Sequence, residues 1–249
     1  MNRSPLVVAL AAAALLGPLC GVALAQSNSE PDLRPTRYEG SAQNFAFELR
    51  FSAYRPNVDD EFGGSGPFHE IFGDSPRLLI GAEFDWQLLR LKKVGSLGLG
   101  ANLGYTKCSG RAPLADGTGR SAEDTGLQII PMAALAVARL DLLNEELGVP
   151  LIPFVKLGPA TALWSVSNGT GTAKVGSTSG RGRSDGLFYA AGLALQLDFL
   201  EPSARSSLDE TTGVNHSYLF GEWTVYDLGT SSQMQVGSNS WTLGLAFEF

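Results

Sequence analysis

The chain has 249 residues, of which 44% are hydrophobic, and its formal net charge is −7. This acidic balance excludes a broad basic footprint for nucleic acid or for anionic lipid head groups, so no nucleic-acid partner is expected. The length suits one sizeable domain or barrel.

The first 25 residues have the layout of a secretory signal peptide. Arg3 lies in a polar start, an apolar run occupies residues 6–16, and small residues precede a cut after Ala25. The run is too short for a membrane helix, which takes about 20 apolar residues. We therefore predict a signal peptide at residues 1–25 and export of the protein. Residues 26–42 are polar and include two prolines, which predicts a flexible periplasmic leader.

From residue 43 onward, apolar and polar residues alternate with a period of two. Phe47 and Leu49, for example, alternate with Glu48 and Arg50, as expected of a strand whose two faces meet different surroundings. Eight such segments follow one another, although the alternation is blurred in the fourth and fifth. They are residues 45–54, 80–88, 97–105, 127–137, 151–163, 187–199, 219–225 and 240–249.

Three features of the predicted strands and connections affect the topology. Long polar connections follow the odd-numbered strands, so all four are expected at the same end of the sheet. Residues 140–149 and 200–214 are longer than tight turns, and the first has leucines at the spacing of a short helix. Pro153 and Pro159 each remove a ladder donor, which predicts a bulged or shortened fifth strand and leaves the strand count open.

The strand lengths and the aromatic residues favour a membrane barrel over a soluble one. Strands of about 10 residues that are tilted by about 40° cross the apolar part of a bilayer, whereas soluble strands usually have about 5 or 6 residues. Trp and Tyr favour the two membrane interfaces. The predicted aromatic belts are Tyr105, Trp223 and Trp241 at one rim, and Trp86, Phe199 and Phe249 at the other. The alternative is that these are aromatic residues in the core of a soluble barrel.

In a membrane barrel the apolar face of each strand meets lipid and the opposite face lines the interior, here called the lumen. An eight-stranded barrel is barely wide enough for its own side chains, so the charged residues on the inner faces predict a hydrogen-bonded plug. Acids outnumber bases among them, which leaves a narrow cation-preferring path as an alternative. The predicted lumen residues are Glu48, Arg50, Glu83, Asp85, Lys156, Glu222 and Glu248.

The last predicted strand alternates apolar residues and ends on an aromatic one, at Leu243, Leu245, Phe247 and Phe249. In this respect, residues 43–249 resemble the small outer-membrane β-barrel proteins of Gram-negative bacteria, of the OmpA, OmpX and OmpW type. The resemblance implies an all-β, antiparallel, up-and-down barrel of eight strands in the outer membrane. It also implies contact with outer-membrane lipid and lipopolysaccharide, and recognition of the last strand by the barrel-assembly machinery.

Candidate catalytic and cofactor residues are few. His69 lies in an acidic loop without a nucleophile motif, and His216 lies near the start of the seventh strand. The glycine-rich residues 169–176 lack the ending of a phosphate-binding loop, and no Cys/His set has the spacing of a zinc site. We therefore expect no enzyme activity, no cofactor and no metal.

The sequence favours a barrel of structural or surface-interaction type with four long external loops. The first alternative is a small channel or a conduit for small or hydrophobic molecules. The second is a barrel enzyme that acts on lipid or peptide at the outer leaflet.

Overall fold

The structure is a computed structural model. The predicted signal peptide and leader lie outside the residues that it describes. Those residues are 44–63, 66–91, 94–114, 117–169, 171–197, 213–229 and 232–249.

In the described part of the chain, eight long antiparallel strands make up the barrel, and three two-residue strands lie in one connection. In chain order the strands are β1 (Phe45–Tyr54), β2 (Arg77–Leu91), β3 (Gly95–Gly110), β4 (Thr125–Leu140), β5 (Leu151–Asn168), β6 (Gly171–Thr172), β7 (Lys174–Val175), β8 (Thr178–Ser179), β9 (Arg181–Gln196), β10 (His216–Leu228) and β11 (Ser238–Glu248). A 3-10 turn at Val58–Phe62 and helix α1 (Pro67–Phe72) lie between β1 and β2, and α2 (Leu142–Leu147) lies between β4 and β5.

The sheet closes on itself. The strand order is β4-β3-β2-β1-β11-β10-β9-β5, and β4 also pairs with β5. The first and last strands are antiparallel neighbours, with Leu49 opposite Leu245 and Phe47 opposite Phe247. The prediction of an eight-stranded, antiparallel, up-and-down barrel is therefore confirmed.

The apolar faces of the strands point outward and the charged faces point inward. Leu99 and Leu243 are 54% and 61% exposed, whereas Glu83 and Glu222 are 1% and 0% exposed. A soluble barrel would show the opposite arrangement. The strands have 10 to 18 residues, which is enough to cross the apolar part of a bilayer.

Among the described residues, no helix is both long and apolar enough to span a membrane.

The prediction for the fifth strand is wrong. At 18 residues β5 is neither shortened nor shifted, and its pairing with β9 keeps one register through Pro153 and Pro159. The ladder with β4 lapses between the pairs at Ala133 and Ala136 and then resumes in the same register. The missing donor of a proline thus interrupts one neighbouring ladder, while the other ladder holds the strand in place.

The strands also extend beyond their predicted ends on the side of the long connections. Residues 106–110, 166–168 and 181–185 belong to strands, although their polar, glycine-rich composition predicts loops. The short helix predicted within residues 140–149 is present as α2. Residues 198–212, most of the connection from β9 to β10 at the same end of the barrel as α2, lie outside the described part of the chain.

Candidate functional site

The middle of the lumen holds eight charged side chains, here called the lumen network. They come from β1, β2, β4, β5, β10 and β11, and each is 10% exposed or less. The eight are Glu48, Arg50, Glu83, Asp85, Arg139, Lys156, Glu222 and Glu248.

Lys156 extends from β5 into a group of three carboxylates. Its Nζ lies 2.7 Å from Glu48 Oε2, 2.5 Å from Glu83 Oε1 and 3.7 Å from Glu222 Oε2. The Lys156 side chain is 0% exposed. A buried ammonium group is tolerated only with such partners, because an isolated ion in a low-dielectric interior is strongly destabilising.

Arg50, on β1, binds the same three carboxylates from another side. Its Nη1 donates to Glu48 Oε2 at 3.0 Å and to Glu83 Oε2 at 2.5 Å, and its Nη2 donates to Glu222. The guanidinium also lies 5.8 Å from the ring centre of Phe188 and 5.9 Å from that of Phe220, within the range of cation–π attraction. The two cations therefore hold β1, β2, β5 and β10 together through shared acids.

Arg139, near the end of β4, organises the side of the network that faces the short connections. Its Nη2 lies 2.7 Å from Asp85 Oδ2 and 3.2 Å from Glu48 Oε1, and its Nη1 lies 3.2 Å from Glu248 Oε1. Glu248 also accepts from Gln87 Nε2 at 2.5 Å and from the Tyr218 hydroxyl at 2.7 Å. These bonds connect the last strand to β2, β4 and β10.

The structure brings together all seven predicted lumen residues and adds Arg139, which sequence reasoning missed. Arg139 has the same parity along β4 as the buried Leu135 and Val137, so it points inward. Its odd position in the alternating pattern could have identified Arg139 as an inward residue. Both faces of β4 are mainly apolar, however, so the alternation there is blurred.

The lumen network contains five carboxylates and three cations. Among the described residues, Asp85 Oδ1 and Glu222 Oε2 have no hydrogen-bond partner. Oxygens of Glu48, Glu83 and Asp85 lie within 4.8 Å of one another, so these three could present ligands to a metal ion. Each of the three also contacts Arg50, Arg139 or Lys156, so side-chain cations already balance this group.

Above the network, towards the long connections, the lumen is filled by apolar and aromatic side chains. Sequence reasoning did not predict this layer, because it depends on the height at which each inward residue lies. Phe68 of α1 packs into it, so the first long connection folds onto the end of the barrel. The buried residues here include Tyr54, Phe68, Leu79, Cys108, Ile129, Phe188 and Leu228.

Below the network, a small cavity opens towards the short connections. Its lining includes Glu48, Arg139, Tyr218, Phe220 and Glu248, and its volume is about 20 Å³. That is room for about one water molecule. The middle and upper parts of the lumen are therefore occupied by side chains.

The predicted aromatic belt residues that the structure describes lie on the outer surface at two levels. Trp223 and Trp241 are directly opposite each other, with ring centres 5.2 Å apart, near the long connections. Tyr105 also points outward towards that end. At the other end Trp86 pairs with Phe45, whose ring lies 6.2 Å from that of Phe249. Phe199 lies outside the described residues.

The predicted assembly residues line the outer face of β11. Leu243 and Leu245 are exposed, Phe247 is half-buried and Phe249 is 37% exposed. The backbone of Phe249 accepts from the N–H groups of Asn44 and Phe45 and donates to the Phe45 carbonyl. The end of β11 is thus bonded to the start of β1 at the closing seam.

Deletion of Phe249 is expected to impair assembly more than it impairs the stability of protein that has already folded. The deletion removes three backbone bonds at one end of a seam that is otherwise paired over seven residue pairs. Insertion yield in cells and urea unfolding of the refolded barrel measure the two effects separately. Unchanged insertion with a large loss of stability would contradict the prediction, and Phe249→Leu serves as the control for chain length.

The two histidines differ in their position relative to the lumen network: His69 lies in the first long connection, and His216 lies directly opposite Glu248 on β11. His69 Nδ1 is 2.9 Å from Asp74 Oδ1 in the exposed first connection, and Asp74 also accepts from Arg55 at 2.6 Å. His216, at the start of β10, lies 2.9 Å from the Gln196 amide. Among the described residues, the contact of the His69 imidazole is with a carboxylate and not with a nucleophile.

No family model and no curated protein matches this sequence. Among solved structures, the chain is similar to Ail, the attachment invasion locus protein of Yersinia pestis, with 13% identity, 83% of this chain and 97% of that chain covered, and a TM-score of 0.43. Neisserial surface protein A is 12% identical, with 83% of this chain and 97% of that chain covered and a TM-score of 0.45. The N-terminal barrel domain of Pseudomonas aeruginosa OprF is 13% identical, with 83% of this chain and 98% of that chain covered and a TM-score of 0.39.

The geometry of the chain itself decides its class. Eight strands close without a free edge, their outer faces are apolar, and their charged residues are buried in the lumen. In hydrocarbon every backbone donor and acceptor must be paired, which a closed barrel achieves. The chain is therefore a closed eight-stranded β-barrel with the apolar outer wall of a membrane-spanning barrel.

Proposed function

We propose that this protein is an outer-membrane barrel of structural or surface-interaction type, with four long extracellular connections. The observation that carries the proposal is the filled lumen. The lumen network occupies the middle, and an apolar layer that includes Phe68 of α1 occupies the end towards the long connections. With the interior blocked, the surfaces left for interaction are the outer wall and the connections.

The proposal includes three partners that follow from this placement. The apolar wall contacts outer-membrane lipid, and the rim with the long connections contacts lipopolysaccharide. The outer face of β11, with Leu243, Leu245, Phe247 and Phe249, contacts the barrel-assembly machinery during insertion. The exposure of Leu243 and the seam position of Phe249 support the last of these.

The proposal predicts that the purified protein carries no steady current in a planar bilayer. An open porin is the positive control, and gel migration of boiled and unboiled samples verifies that the barrel is folded. The runner-up is a narrow cation path, which the excess of five carboxylates over three cations in the lumen network favours. Steady current steps that Ala246→Phe abolishes, at the wall of the lower cavity, would replace our proposal with the runner-up.

We also propose that the barrel is not an enzyme. His69 is 56% exposed and contacts Asp74, which also forms an ion pair with Arg55. These contacts are typical of a solvated loop. Vesicles that contain the wild-type barrel are expected to show the same lipid composition as vesicles with the His69→Ala variant. A lipid product that forms with the wild type and disappears with His69→Ala would overturn this expectation.

A further inference from the structure

A row of polar side chains crosses the outer wall above the apolar band, on the side of β3, β4, β5 and β9. Lys107 is opposite Gln128, Gln128 is opposite Ser165, and Ser165 is opposite Arg181. We call these four residues the polar row. Neighbouring strands lie about 4.8 Å apart, so the two cations at its ends are separated by about 14 Å at their Cα atoms.

The charges at the ends of the polar row are available to a ligand. Lys107 and Arg181 are both exposed, and in the described part of the chain neither pairs with a carboxylate. The connection between β5 and β9, residues 169–180, contains one cation, Lys174, and no acidic residue. The acids near this end of the barrel are divided between the connections: residues 55–76 contain five and residues 111–124 contain three.

The Lys107 end of the polar row lies at the level where a lipid head group begins. Tyr105, a predicted belt residue, precedes Lys107 by two positions on the same face of β3 and is 47% exposed. Tyr favours the membrane interface. The row is at the end of the barrel that carries the long connections, which in barrels of this type is the outer side of the membrane.

An apolar groove lies on the wall below the polar row, four residue positions along β3, β4 and β5. It has a volume of about 660 Å³ and crosses β3, β4 and β5, where Leu103 is opposite Met132 and Met132 is opposite Thr161. Ala134 and Pro159 form part of its lining. Arg183 and Asp185, joined at 2.7 Å, stand at the edge of the groove on β9.

We propose that the polar row and this groove together bind one outer-leaflet glycolipid that carries two phosphates on its head group. The phosphates pair with Lys107 and Arg181, Gln128 and Ser165 meet the sugar between them, and one acyl chain lies in the groove. Lys and Arg form charge-assisted bonds with phosphate oxygens, and the spacing of the two cations suits a head group that is phosphorylated at both ends. The inference deepens the proposed function, because it specifies a lipid partner for the wall of the barrel.

Native mass spectrometry of the folded, detergent-solubilised protein tests the head-group contacts. The probes are bisphosphorylated lipid A, the same glycolipid without phosphate, and phosphatidylcholine. We expect the wild type to bind lipid A about tenfold or more tightly than the phosphate-free form, as two charge-assisted contacts imply. The double variant Lys107→Ala/Arg181→Ala should lose this preference. Arg55→Ala/Arg111→Ala removes two exposed cations elsewhere among the connections and should keep it.

A second pair of variants tests the groove. Ala134→Trp fills it and should weaken binding of both glycolipid forms, whereas Leu219→Trp, on the outer face of β10, should leave binding unchanged. Equal binding of lipid A and its phosphate-free form, equal losses in the two double variants, or full binding by Ala134→Trp would each overturn the inference. Heat-modifiable gel migration verifies folding, so such a result would leave the barrel itself intact. Loss of that migration in the wild type would instead contradict the membrane placement.

Discussion

Replacement of Lys156 with methionine is expected to lower the free energy of unfolding by about 3–5 kcal/mol, the usual cost of removing one partner from a buried ion cluster. Methionine has a similar length, so the loss comes mainly from charge. Glu48, Glu83 and Glu222 would keep Arg50 but lose their contacts with the ammonium. The measurement is urea unfolding of the barrel in lipid vesicles, followed by gel migration.

Removing an acid from the lumen network should have a smaller effect than removing a base. The network has five carboxylates for three cations, so Lys156→Met increases its negative excess and Asp85→Asn reduces it. Asp85 Oδ1 has no hydrogen-bond partner among the described residues, and the amide oxygen of an asparagine can take the place of Oδ2 beside Arg139. Asp85→Asn is therefore expected to cost less than about 1 kcal/mol. Similar losses for the two variants would show that charge balance does not govern the stability of the network.

The facing of the strands could be predicted from the sequence because one physical constraint acts on every second residue. Glu83 and Glu222 cannot face hydrocarbon, and Leu243 is not stabilised by facing water in the lumen. The alternation of polar and apolar residues therefore identifies the inner and outer face of each strand. Seven of the eight network residues could be placed inside without knowledge of the register.

Features that depend on height and on long-range packing could not be predicted in this way. Arg139 lies at the end of a strand whose inward residues Leu135 and Val137 are apolar. The sequence therefore shows no difference in polarity between the inner and outer faces of this strand. The apolar upper layer depends on which inward residues of different strands lie at the same height in the barrel. It also depends on Phe68, which belongs to a connection and not to a strand. The pairing of Pro159 with Leu187 on β9 likewise depends on a neighbour that is far away in the sequence.

The polar row illustrates the same limit for a candidate binding site. Lys107 and Arg181 are 74 positions apart in the sequence, and they share a row because β4 and β5 lie between β3 and β9. Gln128 and Ser165 complete the row only in the observed register. Residues 106–110 and 181–185 were predicted to be loops, so the two cations were not expected on the wall at all.

Leu245→Arg is expected to cost about 2–4 kcal/mol, because an arginine near the middle of the apolar band must leave water or distort the bilayer. Leu245 points outward from β11 and lies between Leu49 on β1 and Leu219 on β10. All three side chains are exposed on the outer wall. The loss is measured by urea unfolding in vesicles.

The matched control for Leu245→Arg is Asn239→Arg, on the same face of the same strand. Asn239 lies six positions closer to the long connections, about 20 Å along the strand, and is exposed near the level of Trp241. An arginine there reaches the head groups and should cost about 0–1 kcal/mol. Gln196→Glu, at the inner side of β9 beside Asn144 and His216, should also be mild. If Leu245→Arg and Asn239→Arg unfold at the same urea concentration, the wall at Leu245 does not face hydrocarbon, and the outward orientation of the apolar faces is not a membrane surface.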